Sequence, residues 1–305
     1  MKPKQSKKVD WKKVLNDFLL LKKAQGKSDR TVSDYNKHVN IFFKRFPNAL
    51  NDLETCVMEY MSENVKPATY NLRRAYLKCW FDYMKEEGAI FSNPMEKLSK
   101  RNAQEKIIDI PVDTLQQLLT LPDTNSFAGL RDYSIMLLML DSGIRPNEAL
   151  RLKMSDFDLK HYCVIVPAEI AKTRTARTLP LSIETIRPIT KLINARPQDW
   201  KNTVPLFSSC EGEEMNTEVL SRRFEKYSKQ LSTSVTPYAL RHCFALYYLR
   251  NGGNALSLQK IMGHTTMDMT KRYVALSDTD IKDGHTSFTP IRNVIPQKKT
   301  SVRKI

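Results

Sequence analysis

The sequence predicts a mainly α-helical protein with one small antiparallel β-sheet, organised as a helical domain followed by a mixed α+β domain. Three observations carry this. Apolar residues recur at three- and four-residue spacing through the first hundred positions, as on the buried face of amphipathic helices. Residues 99–111, SKRNAQEKIIDIP, lose that period and end in proline, as an interdomain linker does. Further on, the β-rich run from Tyr162 to Val166 and the extended stretch from Thr178 to Leu181 flank a polar, basic turn, which reads as strand, turn and strand.

Taken in order, residues 1–10 form a basic tail and residues 11–98 the helical domain. Val14, Leu15, Phe18, Leu19 and Leu21 outline its first helix, and Val32, Tyr35, Val39, Phe42 and Phe43 its second. A third runs from Leu53 to Met61. Pro67, whose fixed φ and missing N–H suit a first helical turn, opens a long fourth helix carrying Tyr70, Leu72, Tyr76, Leu77, Trp80, Phe81 and Met84. Gly88 is placed to stop it, and Ser92-Asn93-Pro94 starts one more short turn. Beyond the linker, residues 112–276 make the second domain. It begins with helices near 112–120 and 127–141, continues with the hairpin, and is helical again from Ser182. Residues 277–305 are a second basic tail. A chain of 305 residues is long enough for two cores.

The formal net charge of +16 points to a polyanionic partner, nucleic acid ahead of an anionic membrane surface. Residues 1–106 alone carry 22 Lys or Arg against 13 Asp or Glu, as suits a helical module lying along a phosphate backbone. No stretch approaches the roughly 20 apolar residues of a membrane-spanning helix. The start, MKPKQSKK, lacks the apolar core of a signal peptide. A soluble, cytoplasmic, nucleoid-associated protein without a membrane partner is expected. Cys56, Cys79, Cys163, Cys210 and Cys243 are odd in number with no C-x-x-C pair, which argues for reduced thiols over zinc or disulfides. The absence of a Gly-rich phosphate loop and of clustered acids argues against nucleotide-driven or metal-dependent chemistry, so no cofactor and no metal are expected. His38, His161 and His285 have no supporting constellation.

Four separated segments of the second domain stand out, each weak alone, and their order and spacing make the case. In Leu140-Asp141-Ser142-Gly143-Ile144-Arg145-Pro146-Asn147-Glu148-Ala149-Leu150, a Gly-bearing turn ends one helix and Pro146 starts another. Arg145 then sits at a helix N-terminus suited to anions, or is a surface arginine paired with Glu148 at i+3. Lys172 lies in the basic turn, where it can reach a DNA groove or a leaving oxygen, or simply be solvated. In Thr236-Pro237-Tyr238-Ala239-Leu240-Arg241-His242, a Thr N-cap and Pro at the first helical position place Tyr238, Arg241 and His242 in the opening turns. His264 follows a helix-ending glycine, and Tyr273 lies nine residues later on a short helix.

In that order SGIRPNEAL, AKTRTARTLPLS, TPYALRHCFA and MGHTTMDMTKRY resemble the successive catalytic segments of the tyrosine recombinase, or lambda-integrase, family, including its Xer-like members. The likeness covers nearly all of residues 107–276, and the first domain is similar, less specifically, to the family's helical core-DNA-binding domain. The resemblance implies a site-specific DNA recombinase or integrase that needs neither ATP nor metal. Tyr273 matches its nucleophile, forming a 3′-phosphotyrosyl link; Arg145 and Arg241 match its phosphate clamp. Lys172 matches the proton donor to the leaving 5′-oxygen, brought by a mobile loop. His264 matches a donor to the phosphate, and Glu148 fits a support for Arg145. The resemblance also implies double-stranded DNA recombination sites as partners, a tetramer on two such sites, room for an accessory directionality factor, and subunit exchange through residues 277–305. A further folded DNA-arm domain is not expected before residue 10.

One position departs from the family. Tyr238 stands where most members have histidine, and a neutral phenol does not readily take a proton from Tyr273. His242, four residues on and on a similar helix face, can contribute to that task or serve the fold. Mobile-element integration and excision, or DNA resolution, are the expected roles. Alternatives are a type IB topoisomerase-like activity and a catalytically impaired DNA-binding relative.

Overall fold

A computed structural model of the chain describes residues 9–103, 108–274 and His285. The chain divides into two compact units, Met1–Glu105 and Lys106–Ile305. The expected basic tails fall mostly outside the described residues, as does the proposed exchange segment apart from His285.

The first unit is helical: α1 (Trp11–Ala24), α2 (Asp29–Arg45), α3 (Leu53–Ser62) and α4 (Pro67–Glu86). Each of the first three begins where a short polar side chain can accept orphan N–H groups. Asp10 accepts from Lys12 N and Lys13 N, Ser28 from Thr31 N and Asp52 from Thr55 N. Phe18, Phe42, Trp80 and Phe81 are fully buried among them. Phe42 meets Phe43, Tyr60 and Phe81 edge-on, pairs worth about 0.5–1.5 kcal/mol each beyond the area they bury. Leu21 and Leu72 correct the apolar stripes drawn from sequence, because both are exposed. Leu72 follows Tyr70 by two residues, about half a helical turn, and so faces away from it.

The segment read as linker is shared out between the units. Arg101 lies over the Tyr70 ring at 3.8 Å and exchanges hydrogen bonds with Asn71 on α4. Ile110 is fully buried in the second unit, and its carbonyl accepts from Tyr247 Oη at 2.8 Å.

In the second unit, α5 (Val112–Thr120) precedes α6 (Phe127–Ser142), which packs against α8 (Ile183–Asn194) and α10 (Pro237–Arg250) at the centre of the core. Between α6 and α8 come the single-turn α7 (Pro146–Leu150) and three strands, β1 (Phe157–Asp158), β2 (Cys163–Val166) and β3 (Arg177–Pro180). They pair antiparallel in the order β1-β2-β3, with Val164 opposite both Phe157 and Leu179. The sequence did not reveal β1, whose two residues are too short for any period. The remaining helices are α9 (Thr217–Ser228), α11 (Ala255–Met262) and α12 (Asp268–Lys271). All five cysteines are free thiols. Among the described residues no helix is long and apolar enough to cross a membrane.

Candidate active site

Two helix ends build the site. Gly143 closes α6 and Gly263 closes α11, both left-handed with φ near 60°. An added Cβ at Gly143 would fall 2.3 Å from the Phe244 ring, so both φ and space require glycine there. Carbonyls at a helix C-terminus lack helical donors and carry its negative dipole end, which makes them natural seats for guanidinium groups. Arg241 Nη1 donates to Gly143 O, and its Nη2 donates to Met262 O at 2.9 Å. Arg145 Nη2 donates to Gly263 O at 2.9 Å.

The two arginines arrive from helix starts. Thr236 caps α10 by accepting from Ala239 N at 3.2 Å, with Pro237 in the first turn, and Arg241 follows one turn later. Arg145 is itself the N-cap of α7, ahead of Pro146. It does pair with Glu148, at 3.2 Å, but the pair is buried, with Arg145 6% and Glu148 1% exposed. The surface-pair alternative therefore falls.

Glu148 does more than orient Arg145. Its carboxylate also accepts from Arg177 Nη2 at 2.5 Å and from the Lys172 backbone N–H at 3.1 Å. Burial pushes this carboxyl up, but the Arg177 guanidinium, the Lys172 amide and Arg145 outweigh burial and hold it below the ordinary carboxylate range. Lys172 itself is exposed, beside a cleft of about 310 Å³ that Arg145, Glu148, Pro237 and Tyr238 also line. The loop expected to be mobile is anchored at this point by the Glu148 bond and by buried Ala171.

Three guanidinium groups thus converge with one carboxylate. Burial and then Arg145 push the Arg241 guanidinium down to about 10, still protonated at neutral pH. Arg177 Nη1 is buried with no hydrogen-bond partner among the described residues.

His264, 7% exposed, lies against Arg241 Nη2 at 3.1 Å through Nε2 and against Thr270 Oγ1 at 2.8 Å through Nδ1. Arginine only donates, so Nε2 accepts and Nδ1 carries the proton. Burial, Arg241, Arg145 and Arg177 lower its pKa to about 4. In this arrangement His264 is a neutral acceptor from Arg241 and orients that guanidinium, where the sequence suggested a donor to phosphate.

Tyr273 lies in the turn just after α12, not within a helix, and is 6% exposed. Its Oη is 2.7 Å from His242 Nδ1, and the His264 ring stacks on it with centroids 6.5 Å apart. Burial raises its phenol pKa, opposed by Arg272 and Arg241. Tyr238 is half exposed, its ring 6.2 Å from His242. The structure thus gathers Arg145, Glu148, Arg241, His242, His264 and Tyr273 by direct contacts or common partners, and leaves the side chains of Lys172, whose backbone N–H bonds Glu148, and of Tyr238 on the cleft wall.

Among known sequences, residues 109–280, more than half the chain, match the phage integrase family. This chain belongs to that family and is a tyrosine recombinase. The recombinase is 26% identical over 296 residues to the tyrosine recombinase XerD of Listeria monocytogenes serovar 1/2a, covering 91% of this chain and 98% of the relative. It is also 26% identical over 242 residues to XerC of Chlamydia caviae, covering 77% and 76%. Its fold is similar to that of the Tn1549 transposon integrase in complex with a circular intermediate DNA (TM-score 0.70, 20% identity, 90% of this chain and 98% of that one). A lambda integrase dimer bound to a core site is similar at TM-score 0.66, with 18% identity over 84% and 96%.

Sequence reasoning about the recombinase passed over Arg177 as part of a basic turn. It bonds Glu148 and also Ile261 O at 3.1 Å, joining β3 to α7 and α11. A signal was available: Arg177 and Leu179 are two apart on one strand, hence on one face, and Leu179 is buried. Thr270, which fixes the His264 ring, was likewise unmarked.

Proposed function

We propose that this recombinase is site-specific and joins DNA through a 3′-phosphotyrosyl intermediate on Tyr273. The observation that carries the reading is the group of Arg145, Arg177 and Arg241, with Glu148 the one carboxylate beside them among the described residues, next to a buried tyrosine. Such an excess of fixed positive charge suits a phosphodiester and, better, its pentacoordinate transition state, whose non-bridging oxygens gain charge. In this reading Tyr273 Oη attacks phosphorus, the 5′-oxygen leaves, and Lys172, from the cleft wall, gives it a proton. Arg145 and Arg241 hold the non-bridging oxygens, with Glu148 and His264 keeping the guanidinium planes in place. The phosphotyrosine conserves the bond, so a 5′-hydroxyl from another strand can reverse the reaction with no ATP or metal.

Double-stranded recombination sites are then the substrate, and a tetramer spanning two of them the working assembly. The Tn1549 transposon integrase among its structural neighbours supports integration and excision of a mobile element as the role; DNA resolution is the alternative role, and an accessory directionality factor belongs to the same proposal. The work belongs in the cytoplasm at the nucleoid. The test is covalent capture from a random-sequence pool of nicked duplexes, read by denaturing electrophoresis and by mass spectrometry of the linked peptide. Wild type should retain DNA through Tyr273, and Tyr273→Phe none. No adduct from wild type, or equal adduct from Tyr273→Phe, overturns the reading. Relaxation of plasmids lacking the captured sequence would instead mark a topoisomerase.

A further inference from the structure

We infer that His242 is the base that takes the phenolic proton of Tyr273 during cleavage, the task that Tyr238 is poorly built to perform. The inference rests on Tyr273 as nucleophile. Tyr273 Oη lies 2.7 Å from His242 Nδ1, within reach for direct transfer. His242 projects from α10 next to Arg241, so the helix that carries one clamp arginine also carries the base. Arg241 and the acceptor are thereby placed by one helix.

The other groups around the phenol are unsuited to the task. The Nε2 lone pair of His264 is committed to Arg241, and its Nδ1 hydrogen to Thr270. Arg272 lies over the Tyr273 ring at 5.4 Å and can steady a phenolate, but a guanidinium has no lone pair to offer. Tyr238 is a phenol like Tyr273, and is half exposed with its ring 6.2 Å from that of His242. Lys172 is exposed on the cleft wall and suited to the opposite task, giving a proton.

Among the described residues, the groups facing His242 are Arg241 and Tyr238 from its own helix and Tyr273 from the turn after α12, with Arg272 and His264 behind Tyr273. Burial and then Arg241 lower the His242 pKa below its ordinary value, so the imidazole is neutral at physiological pH and its lone pair is free to accept. A phosphate seated on Arg241 offsets the charge that weakens this base, so its basicity rises when substrate is in place. In the step itself the Tyr273 O–H bond breaks as the O–P bond forms. The proton moves to Nδ1, giving an imidazolium, and the P–O5′ bond breaks toward the proton from Lys172. Return of the proton to the phenolate accompanies religation.

The test uses the duplex captured by the wild-type chain and measures single-turnover adduct formation against pH. Wild type should rise through the lowered imidazole pKa and then level off. His242→Gln, which can still hydrogen-bond but cannot take a proton, should lose about 100-fold at neutral pH, within the range of general-base catalysis, and its rate should climb with hydroxide without levelling. His242→Ala should recover activity with added imidazole, while both variants bind the duplex as wild type does. A wild-type rate in His242→Gln overturns the inference, as does a slow variant that keeps the wild-type pH limb. Neither result touches the assignment of Tyr273, which stands or falls on covalent capture by wild type.

Discussion

Two buried carboxylates in the second unit are served in nearly the same way. Asp132 on α6 accepts from Arg131, from Arg223 and from Tyr227 Oη, the last at 2.7 Å. Glu148 on α7 accepts from Arg145, Arg177 and the Lys172 amide. Each acid is 1% exposed and each holds two guanidinium groups. They differ in what surrounds the pair. Arg131 finishes on Ser208 O and Arg223 reaches the surface, so the Asp132 cluster spends its donors tying α6 to α9 and to the segment at Ser208. Around Glu148 a third guanidinium, Arg241, has carbonyls and a histidine for partners, and a cleft opens beside it. A buried arginine pair is therefore no mark of a site by itself. What sets the Glu148 cluster apart is surplus charge next to an open cleft and a buried tyrosine.

The largest effects should separate the clusters cleanly. Arg241→Lys keeps the charge but loses the paired donors, and should lower adduct formation about 100- to 1000-fold with little change in unfolding midpoint. Asp132→Ala strands Arg131 without its counter-charge and should cost about 3–5 kcal/mol by chemical denaturation, while the folded fraction cleaves at the wild-type rate. Comparable stability losses in both variants would erase the distinction.

An intermediate effect should come from inorganic phosphate. At a hundredfold excess over its Kd, an anion that binds only the folded state adds about 2.7 kcal/mol of stability. Wild type and Asp132→Ala should both gain in a thermal scan, and Arg241→Ala should not. Equal gain in all three would place the anion elsewhere.

The smallest effect concerns pH. His264 has a folded pKa of about 4 against an ordinary 6.5, because burial and the surrounding arginines oppose its charge. Between those values the unfolded chain binds a proton that the folded chain refuses. Stability is therefore full above the ordinary value and declines as pH falls toward 4. Unfolding free energies at about pH 7 and about pH 4.5 should differ more for wild type than for His264→Gln. An unchanged difference would exclude His264 as a source of the slope.

Much of this was legible in the sequence because it depends on local rules. Helix starts follow from Pro67 and Thr236-Pro237, helix stops from Gly143 and Gly263, and the hairpin from its β-branched run. Arg145, Glu148, Arg241, His264 and Tyr273 could be picked out because a phosphate site needs those types and their order matched a family. Arg177, Thr270 and the two-residue β1 were missed, since their meaning comes from partners elsewhere: Glu148 for Arg177, His264 for Thr270, and for β1 the strand β2, where Val164 pairs with Phe157 and Cys163 with Asp158.

Sequence alone determined that the chain is mainly helical and strongly basic, because spacing, capping and composition act over a few positions, while its resemblance to the tyrosine recombinases marked out the residue set. Tertiary structure decided how those residues divide the work. It turned the His264 lone pair onto Arg241, made Glu148 the hub of two arginines and a loop, and set His242 against the Tyr273 hydroxyl. Those choices depend on which donors face which acceptors across α7, α10, α11 and the turn after α12, and hydrogen bonds between distant segments leave no period for a sequence to display.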